Sequence, residues 1–427
     1  MTHIDLRALD EVLSRCIHCG MCLPVCPTYN LTFREESSPR GRIRLIRSVH
    51  DGTIGLTDEF VDEMNFCLDC QACQTACPAG VQYGSLVEDA RHQMYEKKRE
   101  PFRIRLLKFL FLQGIIVSKS RTKLFGRLMR VYEASGLRDA VERSNILKLF
   151  SPNIHAKHQL LPHASKYFFD EDIPELLPST ATKRGTVGFL SGCIMNISFS
   201  DIHRDAIEVL RANGFDVIIP KQQVCCGSLH GHNGDISTAK ELAQKNIDAF
   251  EKFQFDAFVI DSAGCGAFIK EYAALLADDP SYALQATELS KKTEDITEFL
   301  IRVGRTTPQK ALHLKVTYHE ACHLVHTQKI SQQPRELIKS IPGIEFVELP
   351  EATWCCGSAG MYNVVRFEDS MKFLERKTTN LATTTADIVV TGNPGCHIQL
   401  QHGIKQRGLH MEVVHPVTLL RRAYEKE

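Results

Sequence analysis

From Lys183 onward, apolar residues arrive in short runs separated by longer amphipathic stretches. TVGFLSGC reads as a buried strand ending at Cys193, SDIHRDAIEVLRANG as a helix closing on Gly214, and FDVIIP as the next strand. After VCCG come a helix through STAKELAQKNIDAFEKF and the strand DAFVIDSAG, which leads into Cys265. The succession then repeats: LKVTYHEAC, a helix near SQQPRELIKSIPG, IEFVELP, WCCG, a helix through EDSMKFLERKTTNLA, and ADIVVTGNPG running into Cys396. Strands alternating with helices predict parallel sheets with crossover helices.

Upstream the period is helical. SSPRGRIRLIRSV (37–49) reads as a loop followed by a basic helix, and TDEFVDEMNFCLDC as a helix with an acidic start and Thr57 at its N-cap. Arg40, Arg42 and Arg44 could favour the reduced, more negative clusters, but a solvated face, the ordinary role of a charge run, is the expected reading. Residues 101–130 carry eight Lys/Arg and no Asp/Glu, with apolar residues at near-helical spacing. Such a stretch can lie on an anionic membrane surface, dock on a partner, or pack on the N-terminal module with its basic stems extended to water. Residues 151–184 have scattered prolines and no period, and are expected to be a linker.

Composition narrows the chemistry. The 427 residues contain 51 Lys+Arg and 51 Asp+Glu, so no net charge draws the chain to nucleic acid. No apolar run reaches the ~18–20 residues that span a bilayer. The polar start MTHIDLRALDEVLSR does not resemble a secretory signal, so a cytoplasmic chain is expected. Its 16 cysteines are then better read as metal ligands or redox groups than as disulfides.

Those cysteines fall into four groups. Cys16, Cys19, Cys22 and Cys26 precede Pro27, and Cys67, Cys70, Cys73 and Cys77 precede Pro78. Both groups are C-x2-C-x2-C-x3-C-P. In this spacing three thiolates wrap one [4Fe–4S] cubane and the fourth serves the neighbouring cluster. The expected sets are therefore Cys16, Cys19, Cys22 and Cys77 for one cluster, and Cys67, Cys70, Cys73 and Cys26 for the other. A zinc ribbon would offer separated pairs rather than four cysteines in eleven residues, twice.

The other groups are Cys193, Cys225, Cys226 and Cys265, then Cys322, Cys355, Cys356 and Cys396. Corresponding members are offset by 129, 130, 130 and 131 residues, which marks an internal duplication. Each cysteine falls near a strand end, where parallel sheets bind ligands. A vicinal pair suits a multi-iron cluster, although zinc and a redox-active dithiol remain open. His319 and His323 match H-E-x-x-H, but that motif needs a helix, whereas KVTYHEAC aligns with a strand end. His230, His232, His323 and His326 lie close to these cysteines in sequence and are expected to be solvated or hydrogen-bonded.

The expected architecture is thus an α+β multidomain chain. An all-helical, two-cluster ferredoxin-type module (1–100) and a basic helical segment with linker (101–183) precede two duplicated α/β domains (184–304 and 305–427). The segments CIHCGMCLPVCPTYN (16–30), SPRGRIRLI (38–46), CLDCQACQTACPAGVQYG (67–84), CCGSLHGH (225–232), SAGCGAFIKEY (262–272), CCGSAGMY (355–362) and NPGCHIQL (393–400) carry a resemblance. Over essentially its whole length the chain resembles the iron–sulfur subunit of glycolate oxidase. That subunit belongs to a wider group with paired CCG domains, which includes subunits of anaerobic glycerol-3-phosphate dehydrogenase and heterodisulfide reductase.

The resemblance implies an oxidoreductase subunit. It would take electrons from an FAD-containing 2-hydroxy-acid dehydrogenase subunit oxidising glycolate or D-lactate, and deliver them to a quinone-type acceptor at the inner face of the cell membrane. The hydride chemistry would lie on the partner, and the chain shows no G-x-G-x-x-G after a strand for flavin or NAD. Heterodisulfide reductases end each CCG domain in C-x-x-C. Here the corresponding positions are Phe268 and Gln399, which argues against disulfide reduction.

Overall fold

The computed structural model describes residues 6–425, so the first five residues of the polar start lie outside it. The N-terminal module is helical throughout, with α1 (Leu6–Ser14), α2 (Pro27–Thr32), α3 (Pro39–His50), α4 (Asp58–Phe66), α5 (Ala72–Thr75) and α6 (Tyr83–Glu96). Leu9, Leu13, Ile43, Ile46, Phe60, Met64, Leu86 and Val87 form its core. The caps follow from sequence. The Ser38 hydroxyl accepts from the Gly41 N–H ahead of Pro39, and Thr57 caps α4 through the Phe60 N–H. Gly41 is required by close approach, because a Cβ there would lie 1.9 Å from the Glu35 carbonyl oxygen.

The basic segment forms a helix (Phe102–Lys108), a π-helical stretch (Phe109–Ile116) and a second helix (Lys119–Ala134). It packs on the first α/β repeat rather than on the N-terminal module. Ile116 enters that repeat's core with Phe111 and Ile115 against it, and Gly126 is in close contact with Phe168 and Ile197. Lys119 and Lys123 pair with the buried Asp170 at 2.8 and 2.9 Å. The segment 151–184 is more ordered than its composition suggests. It contains a helix (Pro152–Gln159) and the two-residue strand β1 (Leu176–Leu177).

The first repeat builds a five-stranded sheet from β1, β2 (Gly185–Phe189), β3 (Phe215–Ile218), β4 (Ala257–Ile260) and β5 (Thr293–Asp295). Their spatial order is β1-β3-β2-β4-β5, parallel except for β1. The second repeat builds β6 (Leu314–Tyr318), β7 (Ile344–Phe346), β8 (Ile388–Val390) and β9 (Glu412–Val414) in the order β7-β6-β8-β9, all parallel. Val187 stands beside Val217 and Ala257, and Val316 beside Phe346 and Ile388, so the central strands are apolar on both faces.

One core joins the repeats, running from Val187 and Phe189 to Val316, Tyr318, Ile388 and Leu420. Helix Ser200–Ala212, the long first helix of the first repeat, packs on Pro416–Tyr424, the last of the second; Ile296–Val303 and Gln332–Lys339 reciprocate. The duplication is therefore a pseudo-two-fold pair.

Candidate metal centres

The two C-x2-C-x2-C loops curl alike. His18 and Gly20 in the first, and Asp69 and Gln71 in the second, all have positive φ. Three non-glycine residues in the left-handed region are costly, and such strain collects where a loop must wrap something. Cys16, Cys19, Cys22 and Cys77 line one pocket, together with Cys73, Arg40, Val81 and Tyr83. Burial pushes the Cys22 thiol up to about 11. Cys26, Cys67, Cys70 and Cys73 are all buried, and Cys26 and Cys67 lie close enough to Cys70 and Cys73 to act on those thiols. Burial raises the Cys70 and Cys73 thiols well above their ordinary value, so a metal binding there displaces protons. The structure thus brings each motif's first three cysteines together with the other motif's fourth.

Arg42 departs from the solvated face expected of it. It is fully buried, with Nε donating to the Glu63 carbonyl at 2.8 Å, Nη1 to Ser37 O at 2.8 Å and to the Thr28 hydroxyl at 2.9 Å. Nη2 meets the Glu63 carboxylate at 3.2 Å. The Thr28 hydroxyl in turn lies 3.2 Å from Cys26 Sγ. Burial opposes the guanidinium charge, and Tyr83, Cys67, Cys26 and Glu63 outweigh it. Arg44 is exposed and Arg40 is bound to Glu35.

The second loop is seated on the second repeat. Asp69 O accepts from the His323 ring at 3.2 Å, the Thr327 hydroxyl donates to Gln71 at 2.9 Å, and Lys329 Nζ donates to the Thr75 hydroxyl at 2.9 Å. Cys70 shares an apolar cluster with Trp354, Cys355 and Tyr362, with Cys322 against it. His323 follows the end of β6 and opens the π-helical turn His323–Thr327, so no H-E-x-x-H helix exists there. His230, His232 and His326 are hydrogen-bonded, as expected.

Each repeat gathers its four cysteines beyond the strand ends. In the first, Cys193 touches Cys225 and Cys226 touches Cys225 and Cys265. In the second, the contacts run from Cys322 to Cys355 to Cys356 to Cys396. The two sites adjoin. The Gly264 N–H donates to Asn393 Oδ1 at 3.1 Å, and Asn393 Nδ2 lies 3.6 Å from Cys396 Sγ.

Known families account for the same regions. Residues 12–81 match a 4Fe-4S dicluster domain, 187–270 and 316–401 match the Cysteine-rich domain (CCG), and 103–161 match the linker region of the glycolate oxidase iron-sulfur subunit. A "Probable glycolate oxidase iron-sulfur subunit" of Bacillus subtilis (strain 168) is 39% identical over 96% of this chain and 94% of its own length. The chain belongs to the glycolate oxidase iron–sulfur subunit family. The Escherichia coli (strain K12) glycolate oxidase iron-sulfur subunit is 28% identical over 99% of this chain and 97% of its own. Lactate utilization protein A of Oceanobacillus iheyensis is 31% identical over 53% of this chain and 93% of its own.

This family member therefore carries iron–sulfur clusters, and the crowded free thiols around two curled loops fit them. A bound [4Fe–4S] cluster supplies one-electron redox chemistry. Two further residues at the second repeat escape sequence reading. Lys377 is fully buried, and its Nζ donates to Glu351 O at 2.5 Å and Ala352 O at 3.2 Å, beside the cysteine loop. His319, set aside with the protease motif, lies against Cys356 and Cys396. Both needed long-range contacts to be seen, although His319 left one signal: the corresponding position in the first repeat is Leu190.

Proposed function

We propose that the chain is the electron-transfer subunit of a flavin-dependent 2-hydroxy-acid dehydrogenase, with glycolate or D-lactate as donor and a quinone-type acceptor. The observation that carries this reading is the set of thiols from the exposed Cys19 inward, through buried Cys26, Cys67 and Cys70, to Cys355 of the second repeat. Cys16, Cys19, Cys22 and Cys77 hold one cluster, and Cys67, Cys70, Cys73 and Cys26 the other. Cys193, Cys225, Cys226 and Cys265 form a further metal or redox site in the first repeat; Cys322, Cys355, Cys356 and Cys396 form its counterpart in the second.

The FAD that accepts the substrate's hydride belongs to a partner subunit. Gln399, where heterodisulfide reductases have a cysteine, is buried and bound to Asn363 and Ser370, and Phe268 is core. These positions argue against direct disulfide chemistry. The exposed apolar and basic face of residues 102–131 is the candidate contact with a membrane surface.

Paired substitutions test the ligand sets by iron counting after anaerobic purification. Cys16→Ser with Cys77→Ser should remove one cluster, leaving about four of about eight irons, whereas Cys16→Ser with Cys26→Ser should disturb both. Equal losses in the two pairs would refute the crossed assignment. For the activity, membranes from cells lacking the chain should lose glycolate- or D-lactate-dependent quinone reduction. The wild-type chain should restore it and the Cys26→Ser/Cys77→Ser chain should not. Persistence of both activities without the chain would overturn the reading.

A further inference from the structure

Four thiols per repeat suggest two equal sites, but the second has a donor that the first lacks. One ring nitrogen of His319 and the sulfurs of Cys356 and Cys396 lie within 4.8 Å of one another, and all three residues are buried. His319 stands immediately after β6, Cys396 follows β8 in the first turn of helix Pro394–Arg407, and Cys356 lies on the loop between β7 and β8. Adjacent parallel strands thus aim His319 and Cys396 at one point beyond the sheet.

The histidine is oddly placed for a structural residue. Among the described residues it is the one histidine with both ring nitrogens shielded from solvent and neither hydrogen-bonded. The Ala352 carbonyl is nearby but outside hydrogen-bonding geometry, and it already accepts from Lys377 Nζ. A buried imidazole with no partner is costly, and that cost is removed if a ligand atom takes the nitrogen lone pair.

Spacing decides what that ligand is. Around a tetrahedral zinc-class ion, bonds of about 2.3 Å to sulfur and about 2.0 Å to nitrogen put the donor atoms roughly 3.5–4 Å apart. The His319 group needs to close only slightly to meet that. A cubane spreads its thiolates over four irons. Accordingly no three of Cys16, Cys19, Cys22 and Cys77 come within the same limit, nor do three cysteines of the first repeat. An imidazole with thiolates also suits zinc over harder metals.

We propose that the second repeat binds one zinc-class divalent ion through His319, Cys356 and Cys396. The ion is redox-silent. It ties the ends of β6 and β8 to the loop whose Cys355 packs beside Cys70, and so fixes the seat of the second cluster loop. This assignment is independent of which hydroxy acid or acceptor the complex uses.

The test uses the full chain with its N-terminal clusters reconstituted from iron and sulfide, titrated anaerobically with Co2+ alone. The wild type should take up one equivalent, with intense tetrahedral d–d bands and sulfur-to-cobalt charge transfer. His319→Leu, which installs the first repeat's residue, should weaken Co2+ binding at least 10–100-fold while leaving the iron content unchanged; even second-shell losses cost about that much. His319→Cys should keep binding and add charge-transfer intensity, and it carries the test if the leucine variant does not fold. The proposal is overturned if the wild type binds no Co2+ and carries about four more irons than the N-terminal module needs. Affinity unchanged in His319→Leu, or a Co2+ spectrum unchanged in His319→Cys, would equally overturn it.

Discussion

Arg42 shows how one side chain links the N-terminal core to a cluster loop. Its guanidinium satisfies Ser37 O, Thr28 and both the carbonyl and the carboxylate of Glu63, and Thr28 passes the contact to Cys26. Removing one member of a buried ion pair strands the other, at a typical cost of about 3–5 kcal/mol. Arg42→Met should therefore destabilise the module by about that amount, whereas Arg42→Met with Glu63→Leu should recover most of it. Anaerobic urea unfolding followed by cluster absorbance measures both, and strictly additive losses would show that the pair is not coupled. Lysine cannot substitute, because a single ammonium lacks the planar fork that reaches four acceptors. The cysteine spacing named its ligand candidates from sequence alone. Arg42 looked like surface because two of its acceptors come from Glu63 on α4, 21 residues on, and a charge run says nothing about what a second helix lays over it. His319 was obscured in the same way, since its sulfur neighbours stand far along the chain and meet it only through strand pairing.

At the level of elements, the strands and helices of both repeats follow their apolar periods closely. FDVIIP becomes Phe215–Ile218, and the helix through EDSMKFLERKTTNLA becomes Phe367–Thr384. Two elements did not declare themselves. β1 is only two residues long, too short to have a period, and exists because it pairs antiparallel with β3. The basic segment could not reveal from sequence which neighbour it packs on. Its buried side, Leu112 and Ile116, anchors it to the first repeat. The other side leaves Phe102, Phe109, Leu110, Leu124, Leu128 and Val131 exposed, with Phe109 60% and Leu110 55% accessible. Among the described residues no helix is long and apolar enough to cross a membrane. The proposed membrane contact rests instead on the exposed apolar side chains of this face and the Lys and Arg interleaved with them. Binding to phosphatidylcholine vesicles should rise when anionic phosphatidylglycerol is added and fall with salt. Burying a large apolar side chain is worth about 1.5–3 kcal/mol, so Phe109→Ser with Leu110→Ser should weaken co-sedimentation at least about 10–100-fold. Equal binding by the double variant would remove the membrane from this face.

On the scale of the whole molecule, the N-terminal module bridges the two repeats, and its seam with the first is electrostatic. His232 meets Glu88 at 2.6 Å and Asp69 at 3.7 Å, with Arg91 3.5 Å from Asp69 and the His323 ring stacked edge-on at 4.9 Å. Gly234 shapes this seam, since a Cβ there would lie 2.4 Å from the Arg91 carbonyl oxygen. Burial disfavours the imidazolium, but Glu88, Asp69 and Glu271 prevail and raise His232 to about 9. Burial, then Glu88, pushes the Glu271 carboxyl up to about 8, so it stays neutral at lower pH. Both groups hold their proton more tightly folded than unfolded, so both shifts act in one direction. The stability contributed by His232 is complete below about pH 6.5 and is lost as pH rises through about 9, while that of Glu271 is lost between about 4.5 and 8. The His232 shift, from 6.5 to about 9, corresponds to about 3–4 kcal/mol. Anaerobic melting from about pH 6 to about pH 9.5 should show a falling melting temperature. His232→Gln should flatten the part between about 8 and 9, and Glu271→Gln the part below about 8. Both variants keep a hydrogen-bonding side chain of similar size, so a slope identical to wild type in the two would place the pH response outside this seam.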